Sequence, residues 1–225
     1  MENSSNKWNY LYSQYIQAEY RSWDKYFSEK MKLKKRFLDL VIKYSVNHKP
    51  VIECGAGTGK FSAYLASLGL NVYAVDLEPA MVEQAKQLSK KLSPTNAVKV
   101  FEGDISRIPF GDKSFSVAHS SGVLEHFEDD EIIRLINEQM RVADNIVFSV
   151  PSRYFEKKMS GDERFLSRNE WREIISRSKG EIIEETGYHY KPLWGRIFDI
   201  IKKPSRLFKP IALYVFVLQE RRKQS

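Results

Sequence analysis

Val51-Ile52-Glu53-Cys54-Gly55-Ala56-Gly57-Thr58-Gly59-Lys60-Phe61-Ser62 is the stretch that decides how the chain folds. Val51 to Cys54 is a short apolar run of the length and β-branched content expected of a buried strand. It leads into three glycines at alternate positions and then a helical pattern from Lys60 to Ser67. Strand, glycine turn and helix in that order open a βαβ unit. Glycine suits such a turn because the backbone must bend sharply and approach a ligand with no Cβ in the way. The first amides of the following helix lack intrahelical acceptors, so they face whatever occupies the turn.

Working outward, the alternation continues. Strands are expected at Pro50 to Cys54, Asn71 to Asp76, Ala97 to Glu102, Ser114 to Ser120 and Asn145 to Val150. Helical patterns lie between them at Lys60 to Ser67, Pro79 to Leu92 and Asp129 to Val142. Pro79 fits the first turn of its helix, where a missing N–H costs nothing. Such alternation predicts helices packed around a parallel sheet. Beyond Pro151 come a polar connection, a helix from Arg168 to about Ser178, and two strand-like runs, Glu181 to His189 and Ile211 to Gln219. Upstream, residues 6 to 47 read as helix, with Trp8, Tyr12, Tyr15, Trp23 and later Phe37, Leu38, Val41 and Ile42 at three- and four-residue steps. No repeat or low-complexity linker divides the chain. The expectation is one domain over residues 1–225, with a helical N-terminal lid (1–49) on an α/β core (50–225).

Composition narrows the function classes. The 225 residues are 42% hydrophobic and 29% charged, ordinary for a globular protein. Cys54 stands alone, so no internal disulfide forms, and no Cys/His cluster has zinc-ligand spacing; no metal is expected. The most apolar stretch, Ile211 to Leu218, is too short to span a bilayer, and the N-terminus lacks the features of a signal peptide. A cytoplasmic location follows as the expectation. The net charge of +7 concentrates in residues 191–225, which carry nine Lys/Arg against two Asp/Glu. That tail is either a solvated face or a surface for phosphates.

The glycine loop selects among nucleotide ligands. A dinucleotide loop reads G-x-G-x-x-G, but the sixth position is Lys60 counted from Gly55, and Ser62 counted from Gly57. A P-loop needs Ser or Thr after Gly-Lys, and Phe61 follows Gly59-Lys60. Asp76, ending the second strand, can accept both ribose hydroxyls of a nucleoside; alternatively it caps the helix that begins at Pro79. Glu53 is a second acid beside the loop, which would repel a pyrophosphate and suits a cationic ligand; alternatively it bonds loop amides. Two acids and three glycines favour an adenosyl ligand bearing a sulfonium and an ammonium.

Glu53-x-Gly55-x-Gly57-x-Gly59 with Asp76 resembles the first motifs of the class I S-adenosylmethionine-dependent methyltransferases. Phe101-Glu102-Gly103-Asp104-Ile105 is similar to their adenine-contacting segment, and Phe115 to His126 to their fourth strand and following loop. The likeness spans residues 50 to 150 and is nearest the type 11 and type 12, ubiquinone/menaquinone-biosynthesis-like branch. It implies a doubly wound Rossmann-like α/β sheet of seven strands with the last antiparallel. It implies S-adenosyl-L-methionine as cofactor and S-adenosyl-L-homocysteine as product. Cofactor contacts are expected from Glu53, Gly55, Ala56, Gly57, Gly59, Asp76, Leu77, Met81, Asp104, Ile105 and Ser120, with Tyr15 and Arg21 of the lid, Arg21 toward the methionine carboxylate. Asp104 would accept from adenine N6 or else cap the turn before Pro109. Many relatives carry Pro-Gly-Gly before the fifth strand, where this chain reads Met140-Arg141-Val142-Ala143-Asp144-Asn145.

His126 follows the fourth strand, where substrate meets cofactor in this fold. An imidazole can accept a proton at neutral pH, so it can act as a general base, or it serves a structural role. Glu125 is read as ordering its loop. Methyl transfer is an in-line displacement, so alignment and water exclusion matter most. The expected acceptor is a small molecule, aromatic or lipophilic. RNA is the rival, through the basic tail, and a non-catalytic cofactor-binding protein is a second. DNA is not expected: Ser120-Ser121-Gly122-Val123 is not an Asn/Asp-Pro-Pro-Tyr motif. A peripheral membrane contact through Lys202 to Val217 is the weaker idea. The oligomeric state is open.

Overall fold

The computed structural model describes residues 31, 34–46, 48–155, 161–188 and 211–221. In chain order these form α1 (Lys35–Tyr44), β1 (Val51–Cys54), α2 (Lys60–Ser67), β2 (Val72–Asp76), α3 (Pro79–Leu92), β3 (Lys99–Glu102) and β4 (Phe115–Ser121). A single 3-10 turn (Leu124–His126) follows, then α4 (Asp129–Val142), β5 (Ala143–Pro151), α5 (Arg168–Ser176), β6 (Gly180–Tyr188) and β7 (Leu213–Glu220).

Among the described residues the strands make one seven-stranded sheet in the order β3-β2-β1-β4-β5-β7-β6. β1 to β5 pair in parallel, and β7 runs antiparallel to both β5 and β6. This is the doubly wound sheet with an antiparallel last strand that the sequence led us to expect. All four residues of β1 are buried, as a central parallel strand covered on both faces requires.

Side-chain alternation sends the two sets of strand residues into separate layers. Val51, Val117, Val147 and Val215 pack with Phe37, Leu38, Phe61 and Leu65, which come from α1 and α2. Ile146, Phe148 and Phe216 pack with Leu135, Ile136, Trp171 and Ile174, from α4 and α5. α5 begins with a capping box, in which Ser167 accepts from the Glu170 amide and the Glu170 carboxylate accepts from the Ser167 amide.

The chain passes from α4 to β5 with no intervening loop. Lys113 Nζ supplies what a turn would have, donating to Met140 O at 2.7 Å and Ala143 O at 3.1 Å. A cation on the last carbonyls also complements the helix dipole. Arg141 completes the join, binding the carbonyls of Ile108 and Phe110 and the carboxylates of Glu138 and Asp112. These contacts explain how this chain manages without a Pro-Gly-Gly turn. Of the helix expected over residues 6 to 47, the described part is helical at Met31 and over Lys35–Tyr44. Lys34, Ser45 and Val46 are described but not helical, and the rest, with Tyr15 and Arg21, lies outside the described residues. Among the described residues no helix is long and apolar enough to cross a membrane.

Candidate functional site

Strand order reverses between β1 and β4, and the crevice at the carboxyl ends of such strands is where ligands bind in open α/β sheets. The loop after β1 has Gly55, Gly57 and Gly59 at φ +73, +53 and +68. A Cβ at Gly59 would lie 2.6 Å from Ala85 Cβ, and one at Gly55 would lie 2.7 Å from Val123 Cγ2. These two glycines therefore let α2 approach α3, and let the loop approach the turn after β4.

Asp76, at the end of β2, ties the loop to its neighbour. Its Oδ2 accepts the Gly57 amide at 2.7 Å and its Oδ1 the Glu78 amide at 3.0 Å. The second bond serves the N-terminus of α3, so the helix-anchoring role is realised in the same carboxylate that points at the glycine turn. Burial pushes this carboxyl up, while the amides pull it down. Glu53 is 2% exposed, and its Oε2 accepts both the amide and the hydroxyl of Ser62 in the first turn of α2. Burial raises its carboxyl to about 7 against the opposing Ser62 bonds. Glu53 thus makes the amide bond that the sequence left as its alternative.

The remaining expected cofactor residues divide by exposure. Leu77, the residue after Asp76, is an apolar side chain 62% exposed. Ala56 and Gly57 are buried in the loop. Asp104 is exposed, and its Oδ1 accepts the Ser106 amide at 2.7 Å, so it orders the turn there. Ile105 is half-buried against two core layers. Met81 and Ser120 are packed inside, at 2% and 1% exposure, and Ser120 Oγ has no hydrogen-bond partner among the described residues.

Across the crevice, β4 ends at Gly122 (φ +77) and the 3-10 turn. Lys34, just before α1, donates from Nζ to Ser121 Oγ at 3.1 Å and lies 5.7 Å from the centre of the Tyr188 ring. Glu125 is 4% exposed; its backbone carbonyl accepts the Arg164 amide at 2.8 Å, but its Oε2 has no partner among the described residues. Burial raises this carboxyl to about 8; its own backbone amide and Lys34 oppose the rise, and Glu163 and Asp162 add to it. His126 Nδ1 stands 3.0 Å from Asp162 Oδ1 with its side chain 13% exposed. One donor atom each from His126, Asp162 and Glu163 falls within 4.8 Å. Arg164 clasps this segment to the turn through Phe127 O and Asp129.

Sequence reasoning missed Lys34, Asp162 and Glu163. Lys34 sits in the run Lys32-Leu33-Lys34-Lys35-Arg36, where nothing local distinguishes it. The two acids belong to the polar connection after β5, read only as a linker. His126 is oriented by a carboxylate, as a general base would be and as a structural histidine can be.

Residues 51–145 match a family model described as a methyltransferase domain. An uncharacterized methyltransferase, YodH, of Bacillus subtilis (strain 168) is 34% identical over 76 residues, 34% of this chain and 32% of that protein. A demethylmenaquinone methyltransferase of Clavibacter sepedonicus is 31% identical over 97 residues, 41% of this chain and 38% of that protein. The aligned region thus spans about a third of the length of these curated relatives. A solved structure, the magnesium protoporphyrin IX methyltransferase of Synechocystis PCC 6803 with bound SAH, superposes with a TM-score of 0.64 at 16% identity, covering 98% of this chain and 95% of that one.

Proposed function

From a methyltransferase domain at residues 51–145 carried on the class I fold, we infer that this chain transfers a methyl group from S-adenosylmethionine to a small molecule, releasing S-adenosylhomocysteine. The observation that carries the reading is the Asp76 carboxylate, bonded to the Gly57 and Glu78 amides at the strand-order switch beside the exposed Leu77. A carboxylate held there meets ribose hydroxyls, and an exposed leucine covers a flat base. The φ-positive glycine loop offers backbone in place of bulky side chains to the aminoacyl arm. The acceptor reading, aromatic or lipophilic, draws on the ring-bearing compounds in the names of the matched proteins, protoporphyrin and demethylmenaquinone. Chemistry then needs only a nucleophile aligned behind the methyl group in a water-poor crevice.

The test incubates the protein with methyl-labelled S-adenosylmethionine and a size-fractionated cell extract, with and without ribonuclease. Label in the small-molecule fraction, insensitive to ribonuclease, is the expected result. Label lost on ribonuclease treatment would make RNA the acceptor.

A further inference from the structure

Glu125 is a buried acid for which neither the cofactor loop nor the His126 pair has a use. Its carboxyl lies beside the turn after β4: a Cβ at Gly122 would sit 3.7 Å from Glu125 Oε1, and the next residue, Val123, lies against the glycine loop at Gly55. It therefore occupies the turn that separates the cofactor loop from the ends of β4 and β5. Resting on the methyltransferase reading, we propose that Glu125 receives the acceptor's proton at the transfer point. The acceptor class is then one whose methylated oxygen or nitrogen carries a dissociable hydrogen.

Three observations support this. Glu125 Oε2 has no partner among the described residues, although its surroundings exclude solvent. A buried polar atom in that state is costly, and an O–H or N–H from a ligand would remove the cost. His126, the other candidate, already has Asp162 at 3.0 Å on Nδ1. The charges facing Glu125 are Lys34 from the α1 side, Asp162 and Glu163 from the segment above, and His126 on its own turn. Burial and the two acids favour the neutral acid, which is raised to about 8. Lys34 and an incoming sulfonium favour the carboxylate, so cofactor binding prepares the base. The same acids disfavour an anionic acceptor.

The step balances. The acceptor's lone pair forms the new bond to the methyl carbon, the carbon–sulfur bond breaks, and its electron pair remains on sulfur. The acceptor's proton passes to Glu125 Oε2. A sulfonium and a carboxylate become a neutral thioether and a neutral acid, a loss of opposite charges that a poorly solvated site favours.

Calorimetric binding of S-adenosylmethionine and S-adenosylhomocysteine to the wild type and Glu125→Gln tests the assignment without knowledge of the acceptor. The two ligands differ at the sulfonium, which also lowers the pKa of its own amino group and is felt by Glu53, raised to about 7. Glu125 is therefore reported by the part of the pH-dependent difference that Glu125→Gln removes. Between about pH 6.5 and about pH 9.5 the wild type should gain roughly tenfold in affinity for S-adenosylmethionine relative to S-adenosylhomocysteine, one unit of linkage. Glu125→Gln should lose most of that gain, keeping only what Glu53 and the ligand amine contribute, while binding S-adenosylhomocysteine as before, and a full wild-type gain in that variant overturns the proposal. Should Glu125→Gln fail to fold, Glu125→Asp must displace the pH step, and an undisplaced step overturns it equally. Label transfer to the small-molecule extract fraction should fall about 100-fold in Glu125→Gln. A retained rate removes the proton-accepting role. A wild type that binds neither ligand would instead sink the methyltransferase reading, a failure distinct from these.

Discussion

The two turns facing each other across the switch point are built from similar residue types but treat their acids oppositely. After β1 and β2, Glu53 and Asp76 accept hydrogen bonds from Ser62, Gly57 and Glu78. After β4, Glu125 Oε2 and Ser120 Oγ are buried with no partner among the described residues. One side is finished by its own backbone and holds a fixed shape before any ligand arrives. The other keeps polar capacity in reserve. A cofactor common to many chemistries suits the first arrangement, and an acceptor that completes its own site suits the second.

Asp76→Ala removes two bonds together with the proposed ribose acceptor. S-adenosylmethionine affinity should fall by more than about 100-fold, about 3 kcal/mol, in equilibrium dialysis; unchanged affinity would break the contrast outright. Gly59→Ala should destabilise the fold by about 2–3 kcal/mol in denaturant melts, because it combines positive φ with a close approach to Ala85. Adding Ala85→Gly should recover the steric part and leave the backbone part.

Glu125 has the opposite character, and its sign follows from its raised carboxyl. In the unfolded chain this group ionises near 4.3; in the fold it holds its proton to about 8. Stability is fully present below the unfolded value and is lost as pH rises through the folded one. Glu125→Gln should therefore match the wild type near about pH 4 and exceed it near pH 9 by up to about 5 kcal/mol, with a correspondingly higher melting temperature. Equal melting at both values would mean that the carboxyl is solvated. Smallest of all, Ser120→Ala should stay within about 0.5 kcal/mol, since it deletes an oxygen that bonds nothing described. A large loss of S-adenosylmethionine affinity in that variant would place Ser120 among the ligand contacts.

Legibility followed the range of the forces involved. The bounds of α2, α3 and α4 agree with the sequence pattern, because amphipathic spacing and Pro79 at a helix start act within a few residues. β5 begins at Ala143, not Asn145, because Lys113 from a distant turn replaces the loop that local reasoning expects. β3 begins at Lys99, not Ala97; as a sheet-edge strand with mostly exposed residues it carries little burial signal. The helix-anchoring role of Asp76 was readable because its partner, the Glu78 amide, is only two residues ahead.

By itself the sequence determined the strand–glycine–helix unit, the parallel succession that follows it, and the acids flanking the loop. Backbone sterics and hydrophobic period leave few alternatives over such short spans. Only the tertiary structure decided that Lys34 would reach Ser121, that Asp162 would meet His126, and that Glu125 Oε2 would be buried with no partner among the described residues. Burial and electrostatic environment are properties of segments far apart in the chain, and no local pattern encodes which of them will pack together.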